Sequence, residues 1–395
     1  MPTLDWNKIN YDGIIGDPNI SVDIGHEIEK ASWQNSPFLP FIGKGERRAV
    51  RTYTAEKNRP YRPRLKVALT GKGVSGNTDI AANLDNLEIL SQTVVPKVVA
   101  NGVESEILQY LDMKDIDFVK EAVDSLGDWE QDVRDRHLYA ALANDPTNCV
   151  VCDKDSGFKD TTGKASVKAC AAEINTDDVM NVAAIRRAIL MANTGIKYNG
   201  KSAFPIKPLK STATSEGGIT LNYNSFVIFL DSFQIQQLRS DSEWKDMQNK
   251  APRSENHRIF TGLAGMIDGC PVINMGTWTT MQAGMLNSTI SDSEFRRFIE
   301  PKNFQNKIIA PSQFTGKHAK GTSIGFLIGA GALIMAGSES TKFYTNKVDE
   351  GRKIRCAVDR LLAISKGKFE QDAEGALSPY ANTDYAVIAI FSALQ

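Results

Sequence analysis

Between Asp115 and Ala143 the apolar residues Ile116, Val119, Val123, Leu126, Trp129, Val133, Leu138 and Leu142 recur mostly three or four positions apart. That period lays them along one face of an α-helix. Asp115 is placed to cap the start, and Pro146 follows just beyond the end. At 1.5 Å per residue the helix spans about 40 Å, long for a globular domain. Gly127 lies inside it; costing about 1 kcal/mol against alanine, it marks a bend or a close contact.

The second constraint is charge. From Lys44 to Lys66 the basic residues are Lys44, Arg47, Arg48, Arg51, Lys57, Arg59, Arg62, Arg64 and Lys66, against only Glu46 and Glu56. The whole chain has 46 Lys and Arg against 47 Asp and Glu, a net charge of −1. The segment is therefore a local excess, and the near-zero total excludes both a polybasic nucleic-acid coat and an acidic disordered chain. Arg64 to Leu69 alternates as a strand does. Pro60 and Pro63 put its approach at a sheet edge or in an extended loop. A glycine-rich tip, Gly71 to Gly76, follows, and Val94 to Val99 returns as a second β-like run. A two-stranded excursion of this kind is marginal alone in water, so it should rest on something else.

Ser21 to Trp33 is a weak helix, after which Pro37, Pro40, Gly43 and Gly45 break the chain; this first stretch reads as an arm. Asp177 to Ala192 is a second helix, and Pro205 and Pro208 break the chain again. Ser225 to Leu230 is a buried strand, with Asp231 or Ser232 capping a short helix to Leu238. Gly262 to Met275 is strand-like, and two strands close the chain, Ile354 to Asp359 and Tyr385 to Leu394. Residues 146–175 and 277–320 read as insertions. Helices and strands alternate without a βαβ rhythm, so the class is α+β. With 395 residues, 42% of them hydrophobic, the chain can bury a sizeable core, in roughly two to four domains or one core with insertions. Five cysteines fit a reducing compartment. The first residues are not those of a signal peptide. The apolar run Ile324 to Ala336 is shorter than the roughly 20 residues of a membrane span, so no membrane is expected.

Several motifs suggest chemistry. Gly71-x-Gly73-x-x-Gly76 matches a dinucleotide fingerprint, but no apolar helical stripe follows it. Gly195-Ile196-Lys197-Tyr198-Asn199-Gly200-Lys201-Ser202 matches a phosphate-binding loop, yet it follows a helix and precedes Pro205 and Pro208, so it is expected to be a helix exit turn. Cys149 and Cys152 with Cys170 make part of a zinc site, for which His137 is the nearest fourth ligand. A pair oxidised outside the cell is another reading, and free thiols in an insertion is the one adopted. The four histidines are scattered, and no carboxylate pair sits in an acid/base context. No catalytic residue, cofactor or metal is assigned, and the chain is not expected to be an enzyme.

The order of several stretches is similar to one family. They are Ser36-Pro37-Phe38-Leu39-Pro40-Phe41-Ile42-Gly43; Ala68-Leu69-Thr70-Gly71-Lys72-Gly73-Val74-Ser75-Gly76; Leu126-Gly127-Asp128-Trp129 with Arg134 to Leu142; Phe226 to Leu230 leading to Leu238-Arg239 and Trp244; Phe260 to Gly269; and Leu327 to Leu333 with the two closing strands. In this order they resemble the major capsid protein of N4-like podophages, with the Hong Kong 97-like shell fold. The likeness covers about residues 35–145, 176–275 and 321–395.

The resemblance implies an N-terminal arm (1–45), an extended loop (46–100), a peripheral domain (101–215 and 351–395) with the long helix as its spine, and an axial domain (216–350). It implies a structural protein that self-assembles, as hexamers and pentamers, into the icosahedral shell of a tailed double-stranded DNA bacteriophage. Such a protein is made in the host bacterial cytoplasm and resides in the virion. Its partners would be copies of itself, a scaffold protein, a portal, decoration proteins and, non-specifically, packaged DNA. The arm is too short for a large fused scaffold, so a separate scaffold or an already processed chain is expected. The basic loop needs acidic surface elsewhere, which a neighbouring subunit of a shell can supply, making Arg47, Arg48, Arg51, Arg59, Arg62 and Arg64 candidate intersubunit contacts; a solvated charge run and contact with packaged DNA stay open as alternatives. A nucleotide-dependent enzyme using a glycine-rich loop and an encapsulin-like compartment shell stay open as alternatives.

Overall fold

The computed structural model describes residues 18–34, 36–54, 64–66, 74–76, 79–80, 89–91, 94, 96–108, 117–143, 146–161, 163–164, 167–171, 173–195, 205–216, 219–250, 263–275, 322–338, 340–369 and 383–393. Helix α1 (Pro18–Gln34) opens on a proline, whose missing N–H costs nothing in a first turn. A 3-10 turn at Leu39–Phe41 leads into β1 (Ile42–Gly43) and β2 (Val50–Thr54). Strands β3 (Arg64–Lys66) and β4 (Ile89–Ser91) pair antiparallel, with Arg64 opposite Ser91, so the strand that returns to Arg64–Lys66 is Ile89–Ser91 and not the expected Val94–Val99 run, whose Lys97–Val99 part pairs elsewhere, along the strand Lys353–Lys366. Strand β5 (Lys97–Glu104) follows.

The long helix is α2 (Phe118–Ala143), unbroken over 26 residues. It starts later than expected. Asp117, with its carboxylate 3.4 Å from the Lys120 amide, takes the capping place given to Asp115, and Asp115 and Ile116 lie outside the described residues. A Cβ at Gly127 would meet nothing within 4 Å, so the expected close contact is absent and the helix runs on. Val119, Val123, Leu126, Val133, Leu138 and Leu142 are all buried, as the period required.

The next elements are β6 (Cys149–Asp153), β7 (Gly157–Phe158), α3 (Val167–Ala171) and α4 (Val182–Thr194). The Asn181 side chain caps α4 by accepting from the Ala184 amide at 2.8 Å, so the helix expected from Asp177 begins at Val182. A hairpin follows, β8 (Lys210–Glu216) and β9 (Ile219–Ser225), then β10 (Val227–Leu230). Of the two caps the sequence offered, Asp231 caps α5 (Ser232–Ser240), and it does so in a capping box with Gln234. The remaining elements are α6 (Ser242–Lys250), β11 (Leu263–Ile267), β12 (Cys270–Asn274), β13 (Thr322–Ile328), β14 (Leu333–Gly337), β15 (Lys342–Val348), β16 (Lys353–Lys366) and β17 (Val387–Ala393).

Two large sheets organise them. A six-stranded sheet runs β1-β2-β14-β16-β15, with β5 also on β16. Residues 355–359 of β16 pair with β15 and with β5, one on each edge. Ile354, Cys356, Val358, Arg360 and Leu362 alternate inward along β16, where α1 and α2 cover that face. A seven-stranded sheet runs β11-β12-β10-β13-β17-β6-β7. One apolar core spans both: Phe38 lies 5.0 Å from Phe229 between ring centroids, and Tyr139 lies 5.6 Å from Phe326.

The sheets cut the chain differently from the boundaries expected. The two closing strands are not a pair: β16 belongs to the six-stranded sheet, whereas β17 lies between β13 and β6 in the other. Strands β14 and β15 join the long-helix layer, while β6, β7 and α4 join the seven-stranded sheet. The apolar run from Ile324 thus splits at a turn, where Gly331 has φ +78°, into strands of two sheets. Among the described residues no helix is long and apolar enough to cross a membrane. Residues 18–34 are also not a detached arm, because Ile24 and Ile28 are buried against Val119, Val123 and Phe343.

Candidate assembly surface

The turn from β1 to β2 carries Lys44, Glu46, Arg47 and Arg48 into solvent. Arg48 donates from Nη1 to the Pro40 carbonyl at 3.0 Å, and Lys207 pairs with Glu46 at 2.9 Å. Two grooves flank this basic corner. One, of about 500 Å³, is lined by Trp33, Leu39, Ile42, Lys44, Tyr53 and Met335. The other, of about 460 Å³, lies beside Phe41, Arg47, Arg48, Leu209 and Pro271.

The six candidate arginines divide. Arg47 and Arg48 share the exposed corner. Arg51 is 8% exposed and donates from Nη2 to the Glu46 carbonyl at 2.7 Å, so it serves the interior of its own subunit. Its place on β2 beside β14 explains why: at the layer junction both faces of the strand are covered, and Val50 and Arg51 are both buried. Arg64 opens β3, and Arg59 and Arg62 lie outside the described residues.

Beneath the corner a buried charge network ties α1, α2 and β16 together. Arg360 bridges Glu29 at 2.7 Å and Glu130 at 3.0 Å. Thr341 donates its hydroxyl to Glu130 at 2.8 Å. Burial raises the Glu29 carboxyl above its ordinary range, against the pull of Arg360. Arg134 donates to the Ser32 hydroxyl at 2.8 Å and to the Ser32 carbonyl, and its guanidinium stacks 3.4 Å over the Trp33 ring. A second buried pair, Lys366 with Asp384 at 2.8 Å, links β16 to the approach to β17.

The other sequence motifs fall elsewhere. Gly195 ends α4 with φ +74° and donates its N–H to the Met191 carbonyl at 2.8 Å, so the phosphate-loop pattern does begin at a helix exit. Residues 196–204 lie outside the described residues. Gly76 sits in a turn at φ +70°; Gly71 and Gly73 are outside them. Cys149, Cys152 and Cys170 are buried free thiols. Cys149 and Cys170 hydrogen-bond each other, which raises the Cys149 thiol well above its ordinary value. Burial pushes the Cys152 thiol up to about 12, and its sulfur lies 3.6 Å from that of Met180. Among the described residues no group of three or more His, Cys, Asp and Glu could hold a metal.

One surface escaped the sequence reading, the outer face of the six-stranded sheet, where Val98 (63%), Tyr344 (45%) and Leu361 (40%) are exposed. The β8–β9 hairpin escaped it as an element, though Ile219, Leu221 and Tyr223 alternate in the sequence.

A family model described as phage capsid protein matches residues 153–395. The chain is 40% identical over 98% of its length to "Major structural protein ORF14" of Helicobacter pylori bacteriophage KHP30, covering 99% of that protein. Among solved structures it is similar to a chain of the acidic stable capsid of Helicobacter pylori bacteriophage KHP30. There the identity is 41%, the TM-score 0.73, and the coverage 98% of this chain and 100% of that one. It is also similar to a chain of the head of Helicobacter pylori bacteriophage KHP40, at 42% identity, TM-score 0.75 and the same coverage.

Proposed function

Since this chain belongs to the phage capsid protein family, as a major capsid structural protein of a tailed phage, we propose that it closes with copies of itself into an icosahedral shell around double-stranded DNA. The observation that carries this is full-length likeness, above 40% identity, to chains of two phage capsid structures. Within the family we assign it the Hong Kong 97-like shell fold and a kinship with N4-like podophages. The long α2 supports this as a spine, and the ribbon closed by β3 and β4 supports an extended loop.

In this reading the six-stranded layer with α1 and α2 is the peripheral part of the subunit, and the seven-stranded sheet the axial part. Hexamers and pentamers form the shell, with a scaffold, a portal and decoration proteins as further partners, and packaged DNA as a non-specific neighbour. The chain is made in the host cytoplasm and ends in the virion. It performs no enzymatic reaction; its work is positional. Of the candidate contacts, Arg47, Arg48, Arg59, Arg62 and Arg64 remain for neighbouring subunits, since Arg51 is buried within its own.

The test is particle formation. Expressed with its phage's other head proteins, the chain should sediment as megadalton shells visible by negative-stain microscopy. A chain that stays a small oligomer under every such condition, and binds a nucleotide saturably by calorimetry, would overturn the proposal.

A further inference from the structure

Cys149 and Cys152 stand three apart on β6, and alternation sends side chains three apart to opposite faces of a strand. Their surroundings differ accordingly. Cys152 meets Met180, just before α4, sulfur to sulfur at 3.6 Å, and burial pushes its thiol up to about 12. Cys149 instead meets Cys170 on α3, which packs on β6, and the two thiols hydrogen-bond each other. The fold thus separates two cysteines that are close in the chain and joins two that lie 21 positions apart. The remaining pair is placed elsewhere. Cys270 accepts from the Phe226 amide at 3.4 Å, and Cys356 is buried beside Ile354 and Val358.

The Cys149–Cys170 contact is polarised. Its hydrogen bond holds the Cys170 thiol below its ordinary value, with the charge of Lys164 acting in the same sense, and holds the Cys149 thiol well above. Lys164 is kept nearby by Glu173, 2.8 Å away. A thiolate is the reacting form, so Cys170 is the attacking sulfur and Cys149 the resolving one. Both side chains are buried, at 0% and 1% exposure, which excludes a bulky disulfide and leaves a small oxidant. Helix α3 has only five residues, too few to be stable as a helix by itself, so its local opening gives such an oxidant access.

We propose that Cys149 and Cys170 are a dithiol that a peroxide converts to a disulfide, pinning α3 to β6 of the seven-stranded sheet. The Cys170 thiolate attacks one peroxide oxygen, the O–O bond breaks and hydroxide leaves with the Cys170 proton as water, giving a sulfenic acid. The Cys149 sulfur then attacks the Cys170 sulfur. The S–O bond breaks, the Cys149 proton goes to the departing hydroxyl, and a second water leaves. Two thiols are oxidised and one peroxide is reduced to two waters. A bond across 21 positions removes freedom from the opened segment, so the closed form holds α3 more firmly. The bond does not depend on the capsid reading, since it lies within one chain.

The experiment treats the purified full chain with hydrogen peroxide, blocks the remaining thiols with N-ethylmaleimide and digests without reductant. A peptide pair joined through Cys149 and Cys170, lighter than its parts by two hydrogens and separated by dithiothreitol, is the expected product. Cys152→Ala, on the other face of β6, should give joined peptide within about twofold of the parent. Hydrogen exchange on the parent needs no variant. The α3 amides should exchange at least about tenfold more slowly in oxidised than in reduced protein. No joined pair, a bond from either cysteine to Cys152, sulfinic or sulfonic acid at Cys170 in place of the bond, or equal exchange in the two forms would each overturn the proposal. A joined pair in a chain that forms no shells would sink the capsid reading and leave the disulfide standing.

Discussion

Asp135 and His137 lie two positions apart on α2, both buried, and they respond to acid in opposite senses. Burial pushes the imidazole of His137 down to about 3, from 6.5. The unfolded chain takes up that proton below about 6.5, so stability is present above that pH and is lost as pH falls towards 3. Burial pushes the Asp135 carboxyl up to about 6, from 3.8, against the hydrogen bond from Ser36 and the charge of Arg134. The folded chain then keeps a proton that the unfolded chain releases, so this contribution is present below about 4 and is lost as pH rises to about 6. Between about 4 and 6 the two slopes offset each other. Asp135→Asn keeps an acceptor for Ser36 and removes one slope. Stability from urea melts should then climb with pH more steeply than in the parent, by up to about 1.4 kcal/mol per pH unit across that window. Equal slopes in the two proteins would show that Asp135 does not hold its proton in the fold.

At the scale of elements the long helix depends on contacts that its own pattern only half describes. Val123 is buried among Ile24 and Ile28 of α1 and Ile354, Cys356 and Val358 of β16. Val123→Asp would place an unpaired carboxylate there at a cost of several kcal/mol and should yield no folded protein. Asp124→Ala, one residue on but exposed, should shift a denaturant midpoint by no more than about 0.5 kcal/mol. Soluble, cooperatively melting Val123→Asp protein would contradict the packing. Gly25 on α1 gives a sharper case. Alanine there gains about 1 kcal/mol of helix propensity, yet its Cβ would stand 2.2 Å from the Thr341 carbonyl oxygen, a backbone atom. Moving α1 off the strand edge costs more than propensity returns, so Gly25→Ala should destabilise by about 1–3 kcal/mol in thermal or urea melts. A stabilised variant would mean that α1 sits further from the sheet.

For the whole molecule the question is where the basic excess goes. Arg51 and Arg48 each find a carbonyl within the subunit, and Glu46 is shared with Lys207. Acids are too few between 44 and 66 to answer the rest of the charge. Reversing Arg59, Arg62 and Arg64 to Glu together should leave the subunit folded, with an unchanged far-ultraviolet spectrum and melt. It should also block shells, since removing one partner of an interfacial charge pair costs about 2–5 kcal/mol in every subunit. Shells of normal count from the triple variant would refute the contact. Shells that assemble but package DNA poorly would assign these arginines to the DNA side.

What the sequence determined by itself was local and periodic. The stripe of α2, the cap at Asp231 and the helix exit at Gly195 all follow from spacing or from the backbone freedom of single residues. Each involves groups close in the chain, where helix period, capping and turn chemistry act. Tertiary structure decided the rest. The run from Ile324 reads the same as one buried strand or two, and pairing with β17 on one side of Gly331 and with β16 on the other assigns it to two sheets. Arg51 shares its sequence surroundings with the exposed Arg47 and Arg48; its place beside β14, where both strand faces are covered, buried it. The partners of β16 and β17 are set by non-local apolar burial, which is non-directional and leaves no mark in spacing, so only the folded chain shows which strands share a sheet.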